Sequence, residues 1–535
     1  EKGQEQYFGY RIKILHPNAL QIGNLSISWN PASGAPVIHT IKVYRGSAVI
    51  DVMKTTSFEV LRREDQLEAS KLDGILTAVL RVADLRVGDE LEVGFTTRLD
   101  DPTLGKNDAG LLVLAANPSP GRYRLELSWD NNRKPNLKTT PDMPPAIRNL
   151  DHAVEFRFDN PGISTPPKEA PARYQWQRAL EYSDFADWPA VSRVFDPLFT
   201  KAAQLAKDSP LKAEARRIVA ENASAFDRAS AALKLVQQDV RYVYVGLDRG
   251  NLTPASADET WQRRYGDCKG KTALLLALLG EMGIEAEPVL ANNNGADDGL
   301  DQRLPNPRMF DHVLVRAQID GAAYWLDGTM PPVVPPSADP TLPYRWVLPV
   351  TRQGSALEHL QWWPEGRPDE ITLIDIDARS GFDQPAKVVN TNILRGVKGL
   401  AQQVQFSGVM PDQLRDAMRQ QIVGATWQTV DDVKWRYDLK AQASILTISG
   451  TWKVDWENDG KGARSLALPG GGFSPPDRRA RASDQDQTLP YSNEPSFDCN
   501  VTTVRFPSTT KGANWSSKAG YDTHMFGKNY YRAFD

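Results

Sequence analysis

Residues 264–272 read Arg264-Tyr265-Gly266-Asp267-Cys268-Lys269-Gly270-Lys271-Thr272, and they open an apolar run from Ala273 to Leu279. A run of that length is a buried helix and falls well short of a membrane span. Cys268 then stands near the helix N-terminus, with Asp267 as its N-cap. The helix dipole, with Lys269 and Lys271 nearby, favours thiolate over thiol at such a position. An activated thiolate there is how cysteine acyl-transfer enzymes are built. A lone cysteine at a helix start is also an ordinary small buried residue, and the two lysines read equally well as solvated helix-start residues. The decision rests on what the rest of the chain brings to Cys268.

A cysteine nucleophile needs a base, and the base needs an orienting group. Both lie downstream in the hairpin Phe310–Asp327. His312 begins one strand and Asp327 ends the other, with Ile319-Asp320-Gly321 at the turn. A two-residue turn at Asp320-Gly321 pairs Ile319 with Ala322. That register sets Asp327 opposite Leu314, diagonal to His312 and on the same face. The diagonal spans roughly 7–8 Å between backbones, within reach of an Asp-to-His hydrogen bond. A slip of one residue would put the two on opposite faces.

Outward from this core the chain divides into three blocks. At roughly 150 residues per domain, 535 residues suit about three domains. Residues 1–165 read as an antiparallel β-sandwich, with strand-like runs at Tyr10–Leu15, Asn24–Trp29, His39–Tyr44, Leu91–Arg98, Arg122–Trp129 and His152–Phe158. Pro161 to Pro171 is a Pro-rich connector. Residues 170–350 form an α+β block. It has a helix over Leu211–Ala220, a second with Phe226, Ala229, Leu233, Val236 and Val240 on one face, an extended Arg241–Gly246, the Cys268 helix ending at Gly283, and a strand at Ile284–Leu290. Residues 365–535 return to β character, with strands at Thr372–Ile376, Val388–Leu394, Ser444–Trp452 and Val501–Phe506 and a helix between Pro411 and Ile422. Gly460 to Asn493 reads as loop, and Arg478-Arg479-Ala480-Arg481 as solvated within it.

Composition narrows the function classes. Lys and Arg number 63 against 67 Asp and Glu, so no general electrostatic case exists for nucleic acid or an anionic membrane surface. No segment has the length of a transmembrane helix. The two cysteines, Cys268 and Cys499, make no disulfide scaffold and no multi-cysteine metal site. None of the six histidines sits three or four residues from another, so no zincin-type pair is present. Neither a metal nor a cofactor is expected. Cys499 has no His or Asp–His pattern near it and reads as structural. The tryptophans are spread over all three blocks, which favours packing over a sugar-binding surface.

Taken together, Arg241-Tyr242-Val243, Pro254, Ala255, Thr260, Arg264 to Lys269, Gly283 to Ala286, Phe310-Asp311-His312-Val313 and Tyr324-Trp325-Leu326-Asp327 resemble the bacterial transglutaminase-like superfamily. More narrowly, they resemble the branch with an N-terminal β domain of unknown function (DUF3857). The core likeness covers about residues 210–330. It implies a papain/transglutaminase-like core in which Cys268 is the nucleophile, His312 the general base and then acid, and Asp327 its orienter. The oxyanion would take the Cys268 N–H and a second donor, for which Tyr242 and Tyr244 are candidates, although both also read as core aromatics. The family often has Asn before the histidine, where this chain has Asp311.

The resemblance implies acyl transfer from a peptide or glutamine amide through a thioester, resolved by water or by an amine, and hence a peptide or protein substrate. The other reading is a non-catalytic binding or assembly module that retains the core. Such proteins in Gram-negative bacteria often carry export signals. The chain starts at Glu1 without an initiator Met, so a periplasmic or otherwise exported, trimmed form is expected. Nothing in the sequence speaks to oligomeric state. The long polar loop 291–310 feeds into His312 and is expected to border the substrate cleft. The last residues, with Tyr530, Arg532 and Phe534 on one face, read as the start of a strand in a β domain continuing beyond the given chain.

Overall fold

The computed structural model describes residues 3–62, 71–72, 74–99, 101–130, 133–245, 252–362, 366–424, 426–469, 479–493, 495–508, 514–517, 520–525 and 527–534. Gly246, Arg478, Phe526 and Asp535 belong to stretches read above and lie outside the described residues. The chain is multidomain and β-rich, and it divides into two compact units. One comprises residues 1–166, 170–340 and 344–360; the other comprises 167–169, 341–343 and 361–535.

The first unit begins with β structure in two successive layers. Strands Glu5–Lys13, Glu90–Arg98, Val37–Arg45 and Ala48–Asp51 form one sheet, in that order, and Asn24–Trp29, Leu76–Arg81 and Glu59–Arg62 form another. Alternate residues of the two sheets, Ile41, Val43, Leu91 and Val93 with Leu25 and Leu80, close a common core. A second pair of three-stranded sheets follows. One holds Arg122–Ser128, Ala153–Asp159 and Arg148–Leu150; the other holds Asn136–Thr139, Ala179–Ser183 and Ala109–Val113. The Pro-rich stretch 161–171 runs between the strands Ala153–Asp159 and Ala179–Ser183. Ala179–Ser183 has every side chain buried, so no alternation marks it as a strand.

Among the described residues the α+β part carries five α-helices: α1 (Trp188–Ala202), α2 (Leu211–Glu221), α3 (Ala225–Asp239), α4 (Ala257–Arg263) and α5 (Cys268–Glu281). Over Ala273–Leu279 helix α5 is apolar on every side, and this stretch is buried accordingly. Its Leu274, Leu275, Leu278 and Leu279 pack with Leu211 and Ile218 of α2, Leu233 and Val236 of α3, and Val315, Ala317 and Ile319 of the adjoining sheet. That antiparallel sheet has the order Ala322–Leu326, His312–Ile319, Glu285–Ala291, Trp346–Pro349, Glu358–His359. The hairpin register pairs Ile319 with Ala322 and Val315 with Leu326. Asp320 and Gly321 at its turn have φ of +51° and +82°, the two positive angles of a tight turn matched to strand twist. Helix α1 has no counterpart in the sequence reading, because Pro189 and Pro197 interrupt its pattern; the first sits in the opening turn and the second inside the helix.

The second unit is built on one five-stranded sheet in the order Trp427–Asp438, Ala443–Trp452, Ala386–Arg395, Glu370–Asp377, Asp498–Arg505, the last pair parallel. Helices α6 (Gly396–Phe406) and α7 (Pro411–Ile422) contribute Phe406 and Leu414 to a core with Ile374, Ile376, Val388, Val430 and Leu446. Cys499 lies half-buried on the Asp498–Arg505 strand. Lys528–Arg532 pairs with Tyr521–Met525 as a two-stranded hairpin, and Phe534 falls beyond the strand. Arg481 departs from the solvated reading. It is 7% exposed and donates to the carbonyls of Lys168, Asp486, Leu489 and Pro490 at 2.6–3.2 Å.

Candidate active site

Asp267 caps α5 by accepting the Gly270 N–H at 3.1 Å. Cys268 is thereby the first residue of the helix, where backbone N–H groups have no intrahelical partner. Gly270 is needed at this turn, since a Cβ there would meet the Thr260 hydroxyl oxygen at 2.8 Å. The Thr272 hydroxyl donates to the Val313 carbonyl at 3.2 Å, tying the helix to the strand that His312 begins.

Cys268, His312 and Asp327 come together, all three buried, at 5–6% exposure. The His312 ring donates from Nε2 to Asp327 Oδ2 at 2.8 Å. The Asp327 Oδ1 accepts from the Thr329 N–H at 2.8 Å and the Thr329 hydroxyl at 2.6 Å. Burial alone would raise the Asp327 carboxyl, but His312 and these Thr329 bonds outweigh it and hold it below the usual range. Burial alone would lower the imidazole; Asp327, through charge and hydrogen bond, and the adjacent Cys268 thiol outweigh it and hold His312 well above its usual range. One ring nitrogen is thus committed to a carboxylate, and the thiol is the ring's second interacting partner.

The two lysines are not solvated. Lys269 is 9% exposed and Lys271 is 2% exposed. Lys269 Nζ pairs with Asp267. Burial works against its charge, but Asp267 and Cys268 prevail and its pKa is raised. Lys271 Nζ donates to the Val240 carbonyl at 2.6 Å; burial pushes it down to about 8, against the pull of Asp327.

Tyr242 and Tyr244 lie on short strands beside this turn. Arg241–Tyr242 pairs in parallel with Tyr265–Gly266, and Tyr244–Val245 with Lys71–Leu72. Tyr242 is 40% exposed, which corrects the core reading for that residue.

The loop 291–310 is pinned rather than free. Asp298 pairs with Arg173 at 2.6 Å, and Asp297 accepts the Trp346 N–H at 3.1 Å. Leu304 donates to Glu181 at 3.0 Å, and Ser183 to the Pro305 carbonyl at 2.5 Å. Asp311 accepts the Asn293 N–H at 2.7 Å, so an aspartate before the histidine serves as an anchor for the loop.

Three supporting residues escaped the sequence reading. Gln237 donates to the carbonyls of Asp327 and Val334 at 3.1 and 3.2 Å; its signal was an amide on the apolar face of α3. Thr329 gave a local one, a hydroxyl two residues after an aspartate. Tyr344, whose hydroxyl donates to Asn293 at 2.8 Å, gave none. Among the described residues, no group of His, Cys, Asp and Glu is placed to hold a metal ion.

Residues 2–159 match a domain of unknown function with a solved structure, DUF3857, so the N-terminal part of the chain carries that domain. No curated protein matches the chain. Among solved structures, a candidate protease from Parabacteroides distasonis is 13% identical, with a TM-score of 0.51 over 84% of this chain and 89% of that one. That likeness is one of fold and extends across both units. A candidate cysteine protease from Cytophaga hutchinsonii is 12% identical over 61% of this chain and 79% of that one, with a TM-score of 0.18. The periplasmic domain of TgpA from Pseudomonas aeruginosa is 13% identical over 56% and 95%, also with a TM-score of 0.18.

Proposed function

We propose that this chain is a cysteine acyl-transfer enzyme of the transglutaminase-like kind, acting on a peptide or protein amide. The observation that carries the reading is the buried His312, hydrogen-bonded to Asp327 on one side with the Cys268 thiol beside it. In this reading His312 takes the Cys268 proton, and the sulfur adds to the amide carbonyl. Collapse breaks the C–N bond, and the leaving amine takes the proton from His312, leaving a thioester. Water or a second amine then attacks the thioester, with His312 again as base, and restores the thiol. Asp327, fixed by Thr329 and Gln237, keeps the ring oriented throughout. Among the described residues no helix is long and apolar enough to cross a membrane; we propose an exported, periplasmic location on the sequence resemblance alone.

A second reading, a non-catalytic module that retains the core, is favoured by the 5% exposure of Cys268. Iodoacetamide labelling near neutral pH separates the two. The enzyme reading expects Cys268 to label far faster than the more open Cys499, and labelling of Cys268 no faster than Cys499 would favour the module.

A further inference from the structure

Cys268, His312 and Asp327 are each 5–6% exposed, so a peptide carbonyl reaches the thiol only once a neighbouring segment moves aside. Residues 241–245 run past the cysteine as extended chain. Arg241–Tyr242 pairs in parallel with Tyr265–Gly266, and Val243 N–H donates to the Gly266 carbonyl at 3.0 Å. Carried two residues further, that register brings Tyr244 level with Cys268, and the Lys269 ammonium stands 5.3 Å from the Tyr244 ring centre. At this level the partner changes. Tyr244 pairs in parallel with Lys71, and Val245 with Leu72; both partners belong to the N-terminal part that matches DUF3857. Among the described residues this pairing is a two-stranded sheet of its own. A segment of another domain thus lies along the backbone beside the turn that carries the nucleophile.

Building on the reading of Cys268 as nucleophile, we propose that the backbone edge of Tyr244–Val245 is the docking edge for an extended substrate peptide, and that Lys71–Leu72 holds this edge in cis until the peptide displaces it. Strand addition works through main-chain hydrogen bonds, so it accepts an extended backbone and leaves selection to side-chain pockets. Two paired residues make few such bonds, which keeps the opening local and reversible. The incoming peptide remakes the same main-chain bonds at the level of Cys268, where a carbonyl is presented to the sulfur. The N-terminal domain is then a gate on the site of its own chain. Small electrophiles pass it, and peptides compete with it.

Two alkylating reagents separate a peptide edge from general access to the thiol. Acetyl-Ala-Ala-Ala chloromethyl ketone carries an extended backbone; chloroacetamide carries none. With either one the Cys268 sulfur displaces chloride and a C–S bond forms. In the full chain, Lys71→Pro/Leu72→Pro removes both backbone N–H groups of the segment. It should speed alkylation of Cys268 by the peptidyl reagent roughly tenfold or more, because the free edge is no longer a minor state, and change the chloroacetamide rate less than about threefold. Equal gains with both reagents, or no gain with the peptidyl one, overturn the proposal. A second measurement needs no variant. In wild type alkylated by the peptidyl reagent, amide exchange over residues 71–72 should quicken while 244–245 stay protected, and unchanged exchange over 71–72 overturns the proposal as well. Cys268 that takes neither reagent in either protein overturns the nucleophile reading itself, and the docking edge with it.

Discussion

Asp298 is 4% exposed, yet its carboxyl is held below the usual carboxylate range. Burial pushes it up; Arg173, through its guanidinium at 2.6 Å and its backbone N–H at 3.0 Å, pulls it further down, helped by Arg345. A carboxyl whose folded pKa lies below its unfolded one adds stability that is present above the unfolded value, near pH ~4, and is lost as pH falls through the folded value. Asp298→Asn is therefore expected to be less stable than wild type at neutral pH and to lose less on acidification to pH ~3. Denaturant midpoints across that range check it, and identical acid slopes would count against it. The same residue changes what to expect of loop 291–310. Deleting Asn293–Asp301 would strand Arg173 and uncap the Trp346 N–H, so the fold would suffer along with any substrate preference. Polarity marks that segment as a loop; its two buried aspartates, Asp297 and Asp298, make it a strut.

At the scale of elements, the junction of α4 and α5 is closely packed beside the site. Gly270→Ala raises helix propensity but places a Cβ 2.8 Å from the hydroxyl oxygen of Thr260, which is 1% exposed. We expect a net loss of roughly 1–3 kcal/mol from overpacking, with most of it recovered in Gly270→Ala/Thr260→Ala. Urea unfolding of the four proteins in the cycle measures this coupling, and additive losses would contradict it. The elements that could be read from sequence were those whose signals are local. The Asp320-Gly321 turn and its flanking alternation place His312 and Asp327 on one face, and the apolar run after Cys268 marks α5. What stayed hidden depends on tertiary contact: α1 behind its two prolines, Ala179–Ser183 with no exposed face, and Gln237 and Tyr344, which reach the site from distant segments.

At the scale of the whole molecule, the triad belongs to one compact unit and Arg481 to the other. Arg481 was read as part of a solvated basic run because three arginines in a polar loop carry no burial pattern. Its guanidinium instead serves four carbonyls. Arg481→Met is expected to leave them short of donors and to cost on the order of 2–4 kcal/mol. The urea transition of its unit should move down, with the iodoacetamide rate of Cys268 unchanged. A slowed Cys268 in this variant would contradict that expectation.

The central claim is that His312, oriented by Asp327, activates Cys268 for acyl transfer. Its most direct test is the rate at which p-nitrophenyl acetate places an acetyl group on Cys268, mapped by mass spectrometry in wild type, His312→Gln and Cys268→Ala. The account predicts rapid, single-site acetylation of Cys268 in wild type, a fall of roughly 10²-fold or more in His312→Gln, and no adduct on the remaining Cys499 in Cys268→Ala. Acetylation of Cys268 at the same rate with and without His312 would contradict it.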